Sequence, residues 1–364
     1  MTKDFSAVVL AAGKGTRFKS NKIKVLHQLL GKSMLHLVID SLYGLDPEEL
    51  FVIVGYQKER IMKEEFAYPV RFAIQKKPLG TADAVWAVKD LLKDQKEKNI
   101  LVMNADLPLV RTETLRPFFQ FHQQENNDLT FLTGELENPT GFGRVIPGVD
   151  NVIRIVEEKD ATPLQRKIKE SNLGVYCFDK KELFNSIPKI SNKNVKREYY
   201  LTDIIEIMIR DGKKCAPFRT ENTEEFIGVN DRDEFEMAAE VLRKRKLQLL
   251  GEEGVICLDK QSCWIDMDVT VGRETVIHSD VVIEGSTVIG SQCRIHPHVR
   301  IKDSFLGERV HVHESAVLES CLCEDGSQIG PSMHVVNQKI LEGHILKKRN
   351  TDGYPGNGKN RGGT

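Results

Sequence analysis

The stretch Ala7-Val8-Val9-Leu10-Ala11-Ala12-Gly13-Lys14-Gly15-Thr16-Arg17 decides how the first half of this chain is read. Ala7–Leu10 is a short apolar run of the kind that forms a buried parallel strand. It runs into a glycine-containing turn with two basic residues, Arg17 and Lys24, behind it. Glycine lets the backbone approach an anion, and the N–H groups of such a turn point into the concavity. Leu10, Ala11, Ala12 and Gly13 are therefore candidates for holding a nucleotide or its phosphates. The turn is not a dinucleotide fingerprint, because Phe18 stands where the third glycine would be. It is not a phosphate loop ending in Gly-Lys-Ser/Thr either. On these residues alone, a tight strand-to-helix turn is an equal reading.

Strand-like runs and helical patterns alternate beyond it. Met34, Leu35, Val38, Ile39 and Leu42 line one helix face behind Ser33, a candidate N-cap. Leu50–Val54, Val70–Ile74 and Ile100–Met103 are further strands, with a helix carrying Ala82, Ala84, Val85, Ala87, Val88 and Leu91 between the last two. This rhythm predicts a Rossmann-like, mostly parallel sheet covered on both faces, with ligands at the carboxyl ends of its strands. Asp106 falls just past the Ile100–Met103 strand, at that same edge. It either opens the turn before Pro108 or serves a hard divalent ion such as Mg²⁺, which takes one or two carboxylates plus phosphate oxygens and water. Gln75 to Thr81 forms a third loop there. A glutamine amide can read a base, and Gly80 ahead of a helix leaves N–H groups free; a surface turn explains the loop equally well.

The chain has 364 residues, enough for two domains, with 52 Lys and Arg against 53 Asp and Glu. That balance argues against nucleic acid as a partner and against disorder. No run is apolar enough to span a bilayer, and no leader precedes the first strand, so a soluble cytoplasmic protein is expected. Seven scattered cysteines read as reduced packing residues; Cys321-Leu322-Cys323 lacks the second pair that a zinc site needs.

With Lys24-Val25-Leu26, the first loop resembles the signature of the sugar-nucleotide pyrophosphorylases. It is most similar to the uridylyltransferase half of the bifunctional N-acetylglucosamine-1-phosphate uridylyltransferase/glucosamine-1-phosphate acetyltransferases. The similarity continues in order through Pro78-Leu79-Gly80-Thr81-Ala82, Asp106-Leu107-Pro108-Leu109, Asn138–Arg144, Val156–Ala161, Asn172-Leu173-Gly174, Glu198–Asp203 and Gly228-Val229-Asn230. The resemblance implies that Ala11 to Gly13, with Gln75, hold the uridine, and that Gly80 and Thr81 contact the nucleotide. It implies that Arg17 and Lys24 neutralise the triphosphate and that Asp106 and Asn230 hold Mg²⁺. Gly143, Glu157 and Asn172 would bind the sugar and its N-acetyl group. The implied reaction is attack of a sugar-1-phosphate oxygen on the α-phosphorus of UTP, giving UDP-N-acetylglucosamine for the cell envelope. Such a transfer needs alignment and charge neutralisation rather than a covalent nucleophile. Two departures bear on specificity. Ile23 replaces the proline usual before the lysine, and Asn104-Ala105 replaces an aromatic-glycine pair before Asp106. The Asn104-Ala105 departure leaves a pyrophosphorylase of different sugar or base as one alternative. A non-catalytic pyrophosphorylase-like subunit is another, against which the retained Arg17, Lys24, Asp106 and Asn230 argue.

Residues 1–230 are read as the nucleotidyltransferase domain, and 231–251 as a linker helix. After the linker the period changes. Ile265, Val271, Ile277, Ile283, Ile289, Ile295 and Ile301 recur every six residues, and Leu306, Val312 and Leu318 continue after a one-residue slip. Hexapeptide repeats of this kind wind a triangular β-helix with the aliphatic residue inward, here over 252–335. Gly272, Gly285, Gly290 and Gly307 are expected at its corners as tight turns. The resemblance implies the left-handed form and a homotrimer. His278, His296, His298, His311 and His313 are read as surface residues. Residues 336–364 are expected to be a disordered tail, and no counterpart of the acetyl-transfer coils is found, so acetyltransferase activity is not expected.

Overall fold

In chain order the first part of the fold contains β1 (Phe5–Leu10), a hairpin of β2 (Gln28–Leu29) and β3 (Lys32–Ser33), α1 (Met34–Tyr43), β4 (Glu49–Val54), α2 (Lys58–Ile61) and β5 (Arg71–Ile74). Then come α3 (Thr81–Trp86), α4 (Lys89–Leu92), β6 (Asn99–Asn104), α5 (Thr112–Gln124), β7 (Leu129–Glu135), β8 (Gly143–Pro147), β9 (Ile153–Val156) and β10 (Glu170–Asp179). It closes with α6 (Lys180–Ser186), α7 (Ile204–Arg210), β11 (Cys215–Arg219) and the start of α8 (Arg232–Glu252). The computed structural model describes residues 4–93, 95–147 and 153–347, and the chain divides into two compact units, Met1–Val241 and Leu242–Thr364.

The main sheet of the first unit has the order β11-β7-β10-β6-β1-β4-β5. β6, β1, β4 and β5 run parallel, and β10 is antiparallel to both β6 and β7. β1 shows why an uninterrupted apolar run suits this place. Ala7 and Val9 point into one core with Leu35 and Val38 of α1 and Phe118 of α5. Val8, on the other face, packs with Val85 of α3 and Ile204 of α7. Alternate side chains of a strand face opposite ways, so a strand covered on both faces must be apolar throughout. Ser33 caps α1 as expected, its Oγ accepting from the His36 N–H at 3.2 Å. The helix expected across Ala82–Leu91 is instead two short pieces, α3 and α4. Lys24 opens a 3₁₀ turn, Lys24–Leu26, ahead of the β2–β3 hairpin rather than a helix.

The second unit is a left-handed β-helix of short parallel strands in three sheets. Its inward rungs are the predicted aliphatics: Ile265, Ile283, Ile301 and Leu318 stack in one sheet, and Val271, Ile289 and Leu306 in the next. Ile277, Ile295 and Val312 stack in the third. All ten are buried. A second buried column stands two residues ahead of these, at Cys263, Val269, Thr275, Val281, Thr287, Cys293, Val299, Ser304, Val310 and Ala316, and continues at Cys321 ahead of the buried Cys323. Its polar members bond between coils: Thr275 Oγ1 accepts from the Cys293 N–H at 3.0 Å, and Ser304 Oγ accepts from the Cys321 N–H at 3.0 Å. This column is not apparent in the hexad pattern, because small polar and apolar residues alternate in it.

Two expectations for this unit are corrected. Of the four corner glycines, only Gly285 has positive φ, at 67°. Gly290 is required by the stacking of coils, since a Cβ there would stand 2.5 Å from the Gly307 carbonyl oxygen. The tail expected from 336 is not a tail as far as it is described. Lys339–Ile340 pairs with Leu322–Cys323, and Ile345–Leu346 with Gln328–Ile329, so the coils run on. The register was lost in the sequence because the one-residue slip recurs. The corner after Leu318 is as short as the one after Ile301, and Asp303, Ser320 and Asn337 take the left-handed conformation at successive short corners. Residues 348–364 lie outside the described residues.

Candidate active site

The turn after β1 is shaped by Gly15 more than by Gly13. Gly15 has φ of 60°, and a Cβ there would stand 2.7 Å from Lys24 Cβ. Glycine at 15 therefore lets the Lys24 segment fold back against the loop. A side chain at Gly13 would meet nothing within 4 Å. Ala11 and Ala12 continue the sheet edge: the Ala11 N–H donates to the Ile53 carbonyl at 2.9 Å, and Ala12 accepts from the Tyr56 N–H at 3.4 Å.

Four of the candidate residues meet at the ends of β1 and β6. Lys24 Nζ donates to Asp106 Oδ2 at 2.7 Å and to Asn230 Oδ1 at 3.3 Å. Arg17 Nη2 donates to the same Asn230 oxygen at 2.9 Å. The backbone brings the partners together, since the Val229 N–H donates to the Asp106 carbonyl at 2.9 Å. Asn230 is further held by Glu234, whose Oε2 accepts from its N–H at 2.6 Å. Glu234 and Asp231 form a reciprocal cap at the start of α8, with the Glu234 N–H donating to Asp231 Oδ1 at 3.0 Å. On the other side, Glu225 is fully buried and accepts from both the backbone N–H and Nε of Arg111, at 2.9 and 2.7 Å. That clamp ties the segment after Asp106 to the one before Asn230.

A cleft of about 320 Å³ opens beside this cluster. Leu10, Thr81, Asn104, Gly143, Glu157, Asn172 and Thr202 are on its walls with Arg17, Asp106 and Asn230. Gly143 is packed so closely that a Cβ would stand 2.6 Å from Ile155 Cγ2. Glu157 Oε1 accepts from the Thr202 hydroxyl at 3.0 Å, and burial holds its carboxyl above the usual range. Asp203, behind it, is pushed up to about 6 by burial and by the charges of Glu157 and Glu206. Asn172 Nδ2 donates to the Tyr176 hydroxyl at 2.6 Å. Gln75 and Gly80 stand on the neighbouring loop. Gly80 has φ of 124°, and a Cβ there would meet the Tyr199 backbone, with Tyr199 N at 2.6 Å. The Leu201 N–H donates to Thr81 Oγ1 at 2.9 Å, so the Gln75–Thr81 loop is fastened to the segment bearing Thr202.

A nucleotidyl transferase family profile matches residues 6–267, and a GMPPB C-terminal domain profile matches 260–349. The chain belongs to the nucleotidyl transferase family. Bifunctional protein GlmU of Lactobacillus johnsonii is 42% identical over 335 residues, covering 92% of this chain and 72% of that protein. GlmU of Enterococcus faecalis is 40% identical over 350 residues, covering 94% and 76%. A crystal structure described as a candidate glucose-1-phosphate thymidylyltransferase from Bacillus anthracis, in complex with a sucrose, shares the fold. Its TM-score is 0.52 at 18% identity, over 65% of this chain and 94% of that one. With its family domain and these relatives, this nucleotidyl transferase is a sugar-1-phosphate nucleotidyltransferase.

Some cleft residues of the transferase were not singled out from sequence. Tyr176 and Glu234 are the clearest. Glu234 carries a legible signal, the Asp231-x-x-Glu234 spacing of a helix cap. Tyr176 has none, since a tyrosine inside an apolar strand reads as core. Among the described residues no helix is long and apolar enough to cross a membrane.

Proposed function

We propose that this chain transfers UMP from UTP to N-acetylglucosamine-1-phosphate, releasing pyrophosphate, with Mg²⁺ as cofactor. One observation carries the reading. Arg17, Lys24, Asp106 and Asn230 converge at the ends of β1 and β6, beside a cleft walled by Glu157 and Asn172. The sugar phosphate oxygen would attack the α-phosphorus in line, forming the new O–P bond as the bridging bond to pyrophosphate breaks. Arg17 and Lys24 would neutralise the charge on the phosphates, and the turn from Leu10 to Gly13 would leave room for the nucleotide. Gln75, Gly80 and Thr81 would meet the base and ribose. Glu157, with Gly143 keeping the wall thin, would accept from sugar hydroxyls, and Asn172 would serve the N-acetyl group.

The residues present fit a divalent ion. Asp106 Oδ2 and Asn230 Oδ1 already aim at one cation, the Lys24 ammonium. No group of three acidic, His or Cys side chains able to hold a metal occurs among the described residues. One carboxylate and one amide oxygen suit an ion completed by phosphate oxygens and water. Bound there, Mg²⁺ would supply charge neutralisation on the phosphates. A second reading, another sugar-1-phosphate, is favoured by Asn104, a polar side chain on the cleft wall that Asn172 also lines. We further propose a homotrimer built through the β-helix and a cytoplasmic location. Val288, Phe305 and Leu322 form an outward apolar column in one of its sheets, which fits a protein partner surface.

Pyrophosphate release with UTP, N-acetylglucosamine-1-phosphate and Mg²⁺ tests the reading against other nucleotides and glucose-1-phosphate. Release specific to this pair, and lost in Asp106→Ala, is the expected result. Release with another pair moves the specificity, and no release with any pair refutes the assignment.

A further inference from the structure

Gln75 is held by two partners of one kind. Its Nε2 donates to the Gly80 carbonyl at 3.0 Å and to Asp83 Oδ2 at 2.8 Å. A main-chain carbonyl can only accept, and so can an ionised carboxylate. The usual ambiguity of a glutamine amide is therefore removed by chemistry: turning it over would set Oε1 against two acceptors. With both N–H groups engaged, Oε1 is the only polar atom of the side chain left to offer a ligand. Asp83 sits in the first turn of α3, eight residues after Gln75, and Gly80 caps that helix. The Gly80 carbonyl is itself fixed, because its residue is wedged against the Tyr199 backbone.

We infer that Asp83 is a specificity-determining residue: with the Gly80 carbonyl it locks Gln75 so that a carbonyl oxygen faces the base. This rests on the proposed reading of Gln75 as the residue that meets the base. A fixed acceptor pairs with a ring N–H. Uracil and thymine carry one at N3, flanked by two carbonyl oxygens. Cytosine presents a bare nitrogen at that position, and a carbonyl aimed at it is two acceptors opposed. Discrimination against cytosine thus follows from a side chain that never touches the nucleotide, acting through the one that does. A glutamine without Asp83 keeps one anchor and can rotate to offer either end, so it reads both pyrimidines more evenly.

The experiment compares UTP and CTP affinity by titration of the full chain in four forms: wild type, Asp83→Ala, Asp83→Asn and Gln75→Ala. Thermal melts verify that each is folded. Wild type is expected to prefer UTP. Asp83→Ala should lower the UTP-to-CTP affinity ratio roughly tenfold, the worth of one hydrogen bond. Asp83→Asn, which can turn its own oxygen toward Nε2, should restore most of the ratio, a rescue that a merely structural role does not predict. An unchanged ratio in Asp83→Ala, with a collapsed ratio in Gln75→Ala, would overturn the role of Asp83 and leave Gln75 reading the base. An unchanged ratio in Gln75→Ala would instead remove Gln75 from the base, and the inference with it. A wild-type ratio near one overturns it outright.

Discussion

In the β-helix the residues that bond are one coil apart in sequence: Cys293 to Thr275 across 18 positions, Cys321 to Ser304 across 17. At the transferase site Lys24 reaches Asp106 across 82 positions, and Arg17 reaches Asn230 across 213. The first kind of order repeats, so each rung restates the same packing problem and its solution. The second kind is made once, by four segments that fold into register at a sheet edge. The β-helix should therefore lose stability in equal steps when rungs are cut, whereas the site should lose turnover with little loss of stability.

The sharpest test of that contrast is Asp106→Ala. Turnover should fall by about a thousandfold or more, the scale of losing electrostatic stabilisation at the reacting centre, because Asp106 is the carboxylate proposed to hold the charge-neutralising cation, while the melting temperature moves by only a degree or two. A large drop in melting temperature would mean that the Lys24–Asp106 pair is structural. On the other side, Ile301→Ala removes a fully buried rung and should cost about 3 kcal/mol in denaturant unfolding. Ile283→Ala, one coil earlier in the same sheet, should cost about the same. Unequal costs would break the picture of equivalent rungs. Gly290→Ala is smaller: its Cβ would press on the Gly307 carbonyl, and about 2 kcal/mol is expected.

The smallest effect concerns Asp203. Its folded pKa, about 6, lies above the ordinary 3.8. The folded state therefore binds the proton more tightly than the unfolded chain. That contribution is fully present below pH 4 and lost as pH rises through about 6; Glu157, also raised by burial, acts in the same direction. Asp203→Asn should flatten this fall and be more stable than wild type at pH 8, by about 1 kcal/mol after allowance for solvent screening. Unfolding curves at pH 5 and pH 8 measure it. A variant less stable at pH 8 would show that the ionised carboxylate is wanted there.

The same contrast explains what was legible beforehand. Ile265 to Leu318 announced the β-helix because a period of six has no rival among helices and ordinary strands. The glycine loop and Asp106 were legible from their place at strand ends, and Asn230 through the family resemblance; the structure joins Arg17, Lys24, Asp106 and Asn230 in one chain of hydrogen bonds. The recurrent short corner was not legible after Leu318, where Cys323 breaks the aliphatic run, and so the coils through Ile345–Leu346 were missed. Gly290 was placed at a corner from sequence, but the reason it must be glycine was not legible, because it depends on a carbonyl in the next coil.

The chain's own order thus determined the alternation of strands and helices, the inward face of each rung, and which residue types stand at the sheet edge. These are local or periodic matters, set by side-chain spacing along one strand or coil. Only the tertiary structure decided that Lys24 spans Asp106 and Asn230, that Glu225 clamps Arg111, and that Asp83 leaves Gln75 with a carbonyl to offer. Each depends on where a donor or acceptor points after distant segments have packed, and hydrogen bonds are directional in a way that apolar burial is not.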